Sequence, residues 1–100
     1  MKQFTRLLLL AVIAIASSAI QAADIDAGKQ KSATCAGCHG AAGLSNNPLW
    51  PNLAGQQTAY LVKQLKAFRT GERKDPMMEP MAKPLTDDDI ANLAAYFSSL

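Results

Sequence analysis

An all-α domain of three to five helices is predicted for residues 23–100, on three observations. No stretch alternates apolar and polar residues with period two, so no strand is indicated. Apolar residues recur instead at helical spacing in two segments, Leu61-Val62-Leu65-Phe68 and Ile90-Leu93-Ala94-Phe97. Segments rich in Gly, Pro and Asn separate these stripes from each other and from the start of the domain.

The chain has 100 residues, enough for one domain. Residues 1–22 read as a signal peptide. Lys2 and Arg6 form a positive start, residues 7–16 (LLLLAVIAIA) are an unbroken apolar run, and small residues follow to Ala22 and Ala23. An uncleaved anchor helix wants about 20 apolar residues, and Ser17, Ser18 and Gln21 interrupt this one. Cleavage after Ala22 or Ala23 places the protein in the periplasm, with no membrane span after processing. Lys2 and Arg6 leave with the leader, so the net charge of +2 falls to zero, with eight Lys/Arg against eight Asp/Glu. A nucleic-acid binder carries a basic patch, so no nucleic-acid partner is expected. The 78 remaining residues bury only a thin core, which usually calls for a staple, a metal or a cofactor.

The elements follow in order. Asp26 is placed to cap a first helix running from about Ala27 into the Cys35 region. A long loop, residues 40–57, is punctuated by Gly43, Asn46-Asn47-Pro48, Pro51 and Gly55. Thr58 caps a second helix that ends at Gly71, where a left-handed residue is wanted. A second loop, residues 72–85, carries Pro76, Pro80 and Pro84 together with Met77, Met78 and Met81. Proline fixes φ and disfavours helix at the residue before it, so this loop is expected to be stiff and extended. Thr86-Asp87-Asp88-Asp89 opens the last helix, with acid at the positive end of its dipole.

The chemistry lies in Cys35-Ala36-Gly37-Cys38-His39, a C-x-x-C-H run containing both cysteines and the single histidine of the chain. This is the attachment pattern of c-type haem. Two sulfurs a helical turn apart can each add to a vinyl group of the macrocycle, and the next residue then falls under the iron. Small Ala36, Gly37 and Gly40 let the backbone lie close to the porphyrin. A thioredoxin-like pair needs a βαβ context that is missing here. Structural zinc needs four ligands, and a plain disulfide leaves the adjoining histidine unexplained. One covalent haem c is therefore expected, with His39 as one axial ligand. With no second histidine, methionine thioether is the candidate for the other axial position. The residues alone leave Met77, Met78 and Met81 open, and any methionine can equally be core filler.

Beyond that run, the chain resembles the class I bacterial cytochromes c, in particular the c4 type and the related c553 group. The likeness rests on Cys35-Ala36-Gly37-Cys38-His39-Gly40, Pro51-Asn52-Leu53-Ala54-Gly55-Gln56, Tyr60-Leu61-Val62-Lys63-Gln64-Leu65, and the stretch from Met78 through Leu85-Thr86-Asp87 to Ala94-Ala95-Tyr96-Phe97. It implies the class I cytochrome c fold wrapped around one covalent haem. In that family the axial methionine precedes by seven residues the leucine opening the L-S/T-D-x-D-I segment, which here gives Met78 from Leu85. Met81 resembles the second methionine of the c4 M-x-x-M pattern and is the alternative sixth ligand. The resemblance also implies that Pro48 offers its carbonyl to His39 Nδ1–H, and that Gly28 and Tyr96 mark the crossing of the terminal helices. Trp50 would pack at the haem edge, donate to a propionate or sit in the core. The c4 proteins carry two such domains in tandem and this chain carries one, so inter-haem transfer is not implied.

These readings point to an electron carrier rather than an enzyme, shuttling single electrons between respiratory redox partners with His/Met-ligated iron. The partners expected are a terminal oxidase, a cytochrome bc1-type complex or a periplasmic dehydrogenase. Two other classes differ from it in kind: a haem peroxidase or gas-binding centre with an open sixth position, and a haem-bearing subunit of a larger oxidoreductase. Lys63, Lys66, Arg69, Lys74 and Lys83 form either a docking face or an ordinary solvated surface.

Overall fold

A computed structural model of the protein describes residues 10–14 and 22–100. The leader reading falls largely on residues 1–9 and 15–21, outside the described residues. Among the described residues no strand occurs, and no helix is long and apolar enough to cross a membrane. The described residues form five α-helices: α1 (Ile25–Lys31), α2 (Ala36–His39), α3 (Thr58–Thr70), α4 (Met78–Ala82) and α5 (Asp87–Ser98), with a 3-10 turn at Ser32–Thr34.

The first helix starts earlier than its sequence suggests. Asp24, not Asp26, is the cap, its Oδ1 accepting the Ala27 N–H at 3.1 Å. The choice is tertiary, because Asn92 Oδ1 on α5 accepts the Asp24 N–H at 2.8 Å and fixes the entry of the chain. Asp26 lies in the first turn instead, where its charge suits the helix dipole. The helix also stops short of Cys35. Ser32 Oγ donates to the Lys29 carbonyl at 2.6 Å, a local bond that competes with helix continuation. Gly28 lets α1 cross α5 at very close range, since a Cβ there would lie 2.1 Å from the Asn92 carbonyl oxygen and 2.9 Å from Tyr96 Cβ. Lys31 Nζ adds an ion pair to Asp89 at 3.4 Å.

Gln57 precedes α3 in extended conformation, and Thr58, expected as the cap, is the first helical residue. Its hydroxyl is engaged elsewhere, donating to Ser98 Oγ at 2.8 Å. Gly71 ends α3 in the left-handed conformation, φ 82°, as its position predicts. Leu61 and Phe68 are buried, and the Arg73 guanidinium covers the Phe68 ring at 4.5 Å. The methionine loop is not wholly extended. It contains α4, because Pro76 precedes the helix and Pro80 lies in its first turn, where a missing N–H disturbs least.

The acidic start of α5 is a capping box: Thr86 Oγ1 accepts the Asp89 N–H at 3.1 Å, and Asp89 Oδ2 accepts the Thr86 N–H at 3.0 Å. Leu61 on α3 packs with Leu93, Ala94, Tyr96 and Phe97 on α5 as the core, against which Cys35, Leu53, Val62, Leu65 and Leu85 lean. Arg69 braces the entrance to α5, donating to the Leu85 carbonyl at 3.0 Å and pairing with Asp87 at 2.6 Å.

The Thr86 N–H holds the Asp89 carboxyl below the usual carboxylate range. A depressed folded-state pKa contributes stability above the unfolded value, near 3.9, and that contribution is lost as pH falls through the lower folded value. The stability advantage of the wild type over Asp89→Asn, measured by denaturant titration at neutral pH, is therefore expected to shrink once the pH drops below about 4.

Candidate haem-binding site

The Cys35 N–H bonds the Ser32 carbonyl at 2.8 Å, and the His39 N–H bonds the Cys35 carbonyl at 2.9 Å. One helical turn thus carries both sulfurs and delivers the imidazole. Cys35 and Cys38 are free thiols, both half-buried. Burial pushes the Cys35 thiol above its ordinary value, against a weaker downward pull from Thr34.

His39 is buried, and its Nδ1 lies 2.8 Å from the Pro51 carbonyl oxygen. A carbonyl only accepts, so Nδ1 carries the proton and the lone pair sits on Nε2. The expected partner was Pro48, and the structure replaces it with Pro51. The turn spanning residues 47–50 explains the change. The Trp50 N–H reaches the Asn47 carbonyl at 3.0 Å, and the Leu49 N–H reaches Asn47 Oδ1 at 2.9 Å. Pro48 occupies the second position of that turn, which its fixed φ suits, and is exposed. Pro51, just beyond the turn, faces the imidazole. Gly43 anchors the segment from behind, its carbonyl accepting the Leu53 and Ala54 N–H groups at 2.8 and 3.0 Å.

Gly40 is required by the backbone itself. Its φ is 85°, and a Cβ would lie 1.9 Å from the Leu44 carbonyl oxygen. At Gly37 a Cβ would meet no protein atom within 4 Å. With Ala36, Cys38, Gly40, Asn46, Asn47 and Trp50 it borders a hollow of about 120 Å³. Trp50 is half-buried and outside the core, and it also lines a larger, more polar hollow of about 330 Å³ over residues 45–52. Of the three methionines in the α4 region, Met77 and Met81 are 52% and 43% exposed, whereas Met78 is half-buried. Asp75 Oδ1 accepts the N–H groups of both Met77 and Met78 at 2.9 Å. Two free thiols a turn apart, an imidazole with its Nε2 lone pair available and a sheltered thioether form a donor set that fits haem c.

Sequence reasoning missed Pro51 and Asp75. Asp75-Pro76 carried a usable signal, since a cap residue followed by proline marks a helix start.

Residues 25–100 match the family Cytochrome c. The chain belongs to the cytochrome c family. Covalent haem c is accordingly its cofactor, and its fold is that of the class I cytochromes c. It is 48% identical over 81 residues to cytochrome c-554(548) of Halomonas halodenitrificans, covering 78% of this chain and 98% of that one. The crystal structure of reduced recombinant cytochrome c4 from Pseudomonas stutzeri superposes with a TM-score of 0.74 at 44% identity, over 78% of this cytochrome and 46% of that chain. A thiosulfate dehydrogenase electron acceptor of Thiomonas intermedia is 42% identical over 71 residues, covering 70% of this chain and 33% of its own length. This cytochrome spans less than half the length of the cytochrome c4 relatives it matches.

Proposed function

We propose that this cytochrome is a periplasmic monohaem electron carrier. Cys35 and Cys38 hold the haem as thioethers, and His39 Nε2 and the Met78 sulfur are the axial ligands. The observation that carries the assignment is the His39–Pro51 hydrogen bond, which fixes the ring and leaves Nε2 as the ligating nitrogen, one residue past the second of two cysteines. Bound haem supplies a one-electron couple. The protein supplies the rest. Pro51 keeps the imidazole in one tautomer and one orientation. The thioether fills the second axial position and favours the reduced metal. With both positions filled, little rearrangement accompanies each transfer, as a carrier requires.

Export rests on the leader pattern of residues 1–22. The mature protein is expected in the osmotic-shock fraction, beginning at Ala23 or Asp24; recovery with the leader intact in the membrane fraction would refute the location. Among partners, a periplasmic dehydrogenase is favoured as electron donor, because a relative is named as the electron acceptor of thiosulfate dehydrogenase. A terminal oxidase or a cytochrome bc1-type complex would stand on the other side of the transfer. A second reading, a haem-bearing part of a larger oxidoreductase, draws support from a thiosulfate dehydrogenase structure of Marichromatium purpuratum, matched at 37% identity and TM-score 0.68 over 18% of its length.

Absorption spectroscopy tests the ligand assignment. The oxidised wild type is expected to show a thioether-to-iron charge-transfer band that vanishes in Met78→Ala and survives in Met81→Ala. Survival in Met78→Ala would transfer the role to another sulfur. Rapid carbon monoxide binding by the reduced wild type would favour an open-site enzyme.

A further inference from the structure

We infer that Asp75 is a positioning residue that presents Met78 to the iron. The inference rests on the proposed role of Met78 as the axial ligand.

The start of α4 is short of internal bonds. Pro76 and Pro80 have no N–H, so neither can donate to the helical ladder. Asp75 instead engages the N–H groups that this turn leaves without an intrahelical partner, with both of its acceptors. Its backbone carbonyl takes the Glu79 N–H at 3.0 Å, closing one helical turn around Met77 and Met78. Its carboxylate Oδ1 takes the Met77 and Met78 N–H groups, each at 2.9 Å. Asp75 therefore acts as the cap of a turn whose first position is Pro76 and whose third is Met78. No other side chain among the described residues bonds the Met78 backbone.

The consequence is geometric. Met has three rotatable bonds in its side chain, so packing alone specifies it poorly. Fixing its N–H fixes the direction of its Cα–Cβ bond, from which the sulfur must reach the metal. Within this turn Met78 is half-buried, whereas Met77 and Met81 are exposed. Loss of the carboxylate frees the turn to rotate, and the thioether then competes less well for the iron.

Imidazole binding to the oxidised holoprotein measures that competition, because the added ligand must displace the thioether. In Asp75→Ala the apparent affinity for imidazole is expected to rise roughly fivefold, the scale of one lost cap, and the charge-transfer band to weaken. Asp75→Asn keeps an oxygen acceptor and should stay within about twofold of wild type. Asp24→Ala removes a cap of the same kind from α1; it should lower thermal stability without moving imidazole affinity. The positioning role is overturned if Asp75→Ala binds imidazole as the wild type does, if Asp75→Asn shifts as far as alanine, or if Asp24→Ala produces the same shift. The Met78→Ala spectrum tests the underlying ligand assignment separately. When the band depends on Met78, an unchanged imidazole affinity in Asp75→Ala refutes the role of Asp75 alone.

Discussion

Gly28→Ala is expected to destabilise the protein by ~3 kcal/mol, enough to lower the melting temperature by on the order of 15 °C in a domain of this size. The cause is steric, not conformational, because Gly28 lies within α1 and its backbone angles suit any residue. An added Cβ would stand 2.1 Å from the Asn92 carbonyl oxygen and 2.6 Å from its carbon. Those are backbone atoms of a packed helix and cannot swing aside. Separation of α1 from α5 is the available relief. It would stretch the Asp24–Asn92 hydrogen bond and the Lys31–Asp89 pair, and lift α1 from the helix that carries most of the core. Trimming the neighbouring ring should therefore fail as a rescue, since Tyr96→Ala leaves both the Asn92 carbonyl and the Cβ at position 96 in place. Gly71→Ala offers the contrast. There a Cβ has room, 3.5 Å from Glu79 Oε1, and the penalty is the left-handed backbone alone, about 1–2 kcal/mol. Thermal melts followed by circular dichroism separate the two cases, and a Gly28→Ala melt no lower than that of Gly71→Ala would refute the close-crossing account.

Local chemistry was legible in the sequence wherever it was self-contained. The C-x-x-C-H run announces its own spacing, Gly71 its left-handed end, and Thr86 with Asp89 a reciprocal cap, because each is settled by residues within one turn of each other. Choices between similar neighbours were not legible. Asp24 and Asp26 are both good caps, and Asn92, far along the chain, decides between them. Pro48 and Pro51 both own carbonyls, and which of them meets His39 depends on a turn that consumes Pro48. Three prolines argued for an extended methionine loop, yet two of them sit where a short helix tolerates them, and Asp75 accepts the N–H groups of Met77 and Met78 beside them. The boundary is physical. Periodicity and capping are local free energies, whereas carbonyl partners and helix entry points are fixed by packing between distant segments.

Removing both attachment sulfurs, in Cys35→Ala/Cys38→Ala, is expected to abolish cooperative folding, a loss of essentially the whole ~5–15 kcal/mol that a domain carries. The reason lies in where the buried apolar side chains are. Leu61, Phe68, Ala82, Ile90, Leu93, Ala94, Tyr96 and Phe97 make up the described core, all from α3, α4 and α5. Residues 40–57 contribute no fully buried apolar side chain; Leu44 and Leu49 are 61% and 84% exposed, and Leu53 and Trp50 are only half-buried. The His39 bond to Pro51 and the Gly55 N–H bond to the Phe97 carbonyl tie this segment down, but hydrogen bonds of that kind contribute only about 1 kcal/mol each. A covalently held porphyrin is the apolar body against which such a segment folds, as small domains with thin cores require. In the double variant, hydrogen exchange should be fast throughout residues 40–57, with residual helix confined to α3 and α5, and the thermal transition should broaden until no midpoint is defined. His39→Ala separates attachment from ligation: it keeps the thioethers, and so should keep its colour in denaturing solvent, while its reduced form binds carbon monoxide. A double variant that melts cooperatively near the wild-type temperature would show that the polypeptide supplies its own interior.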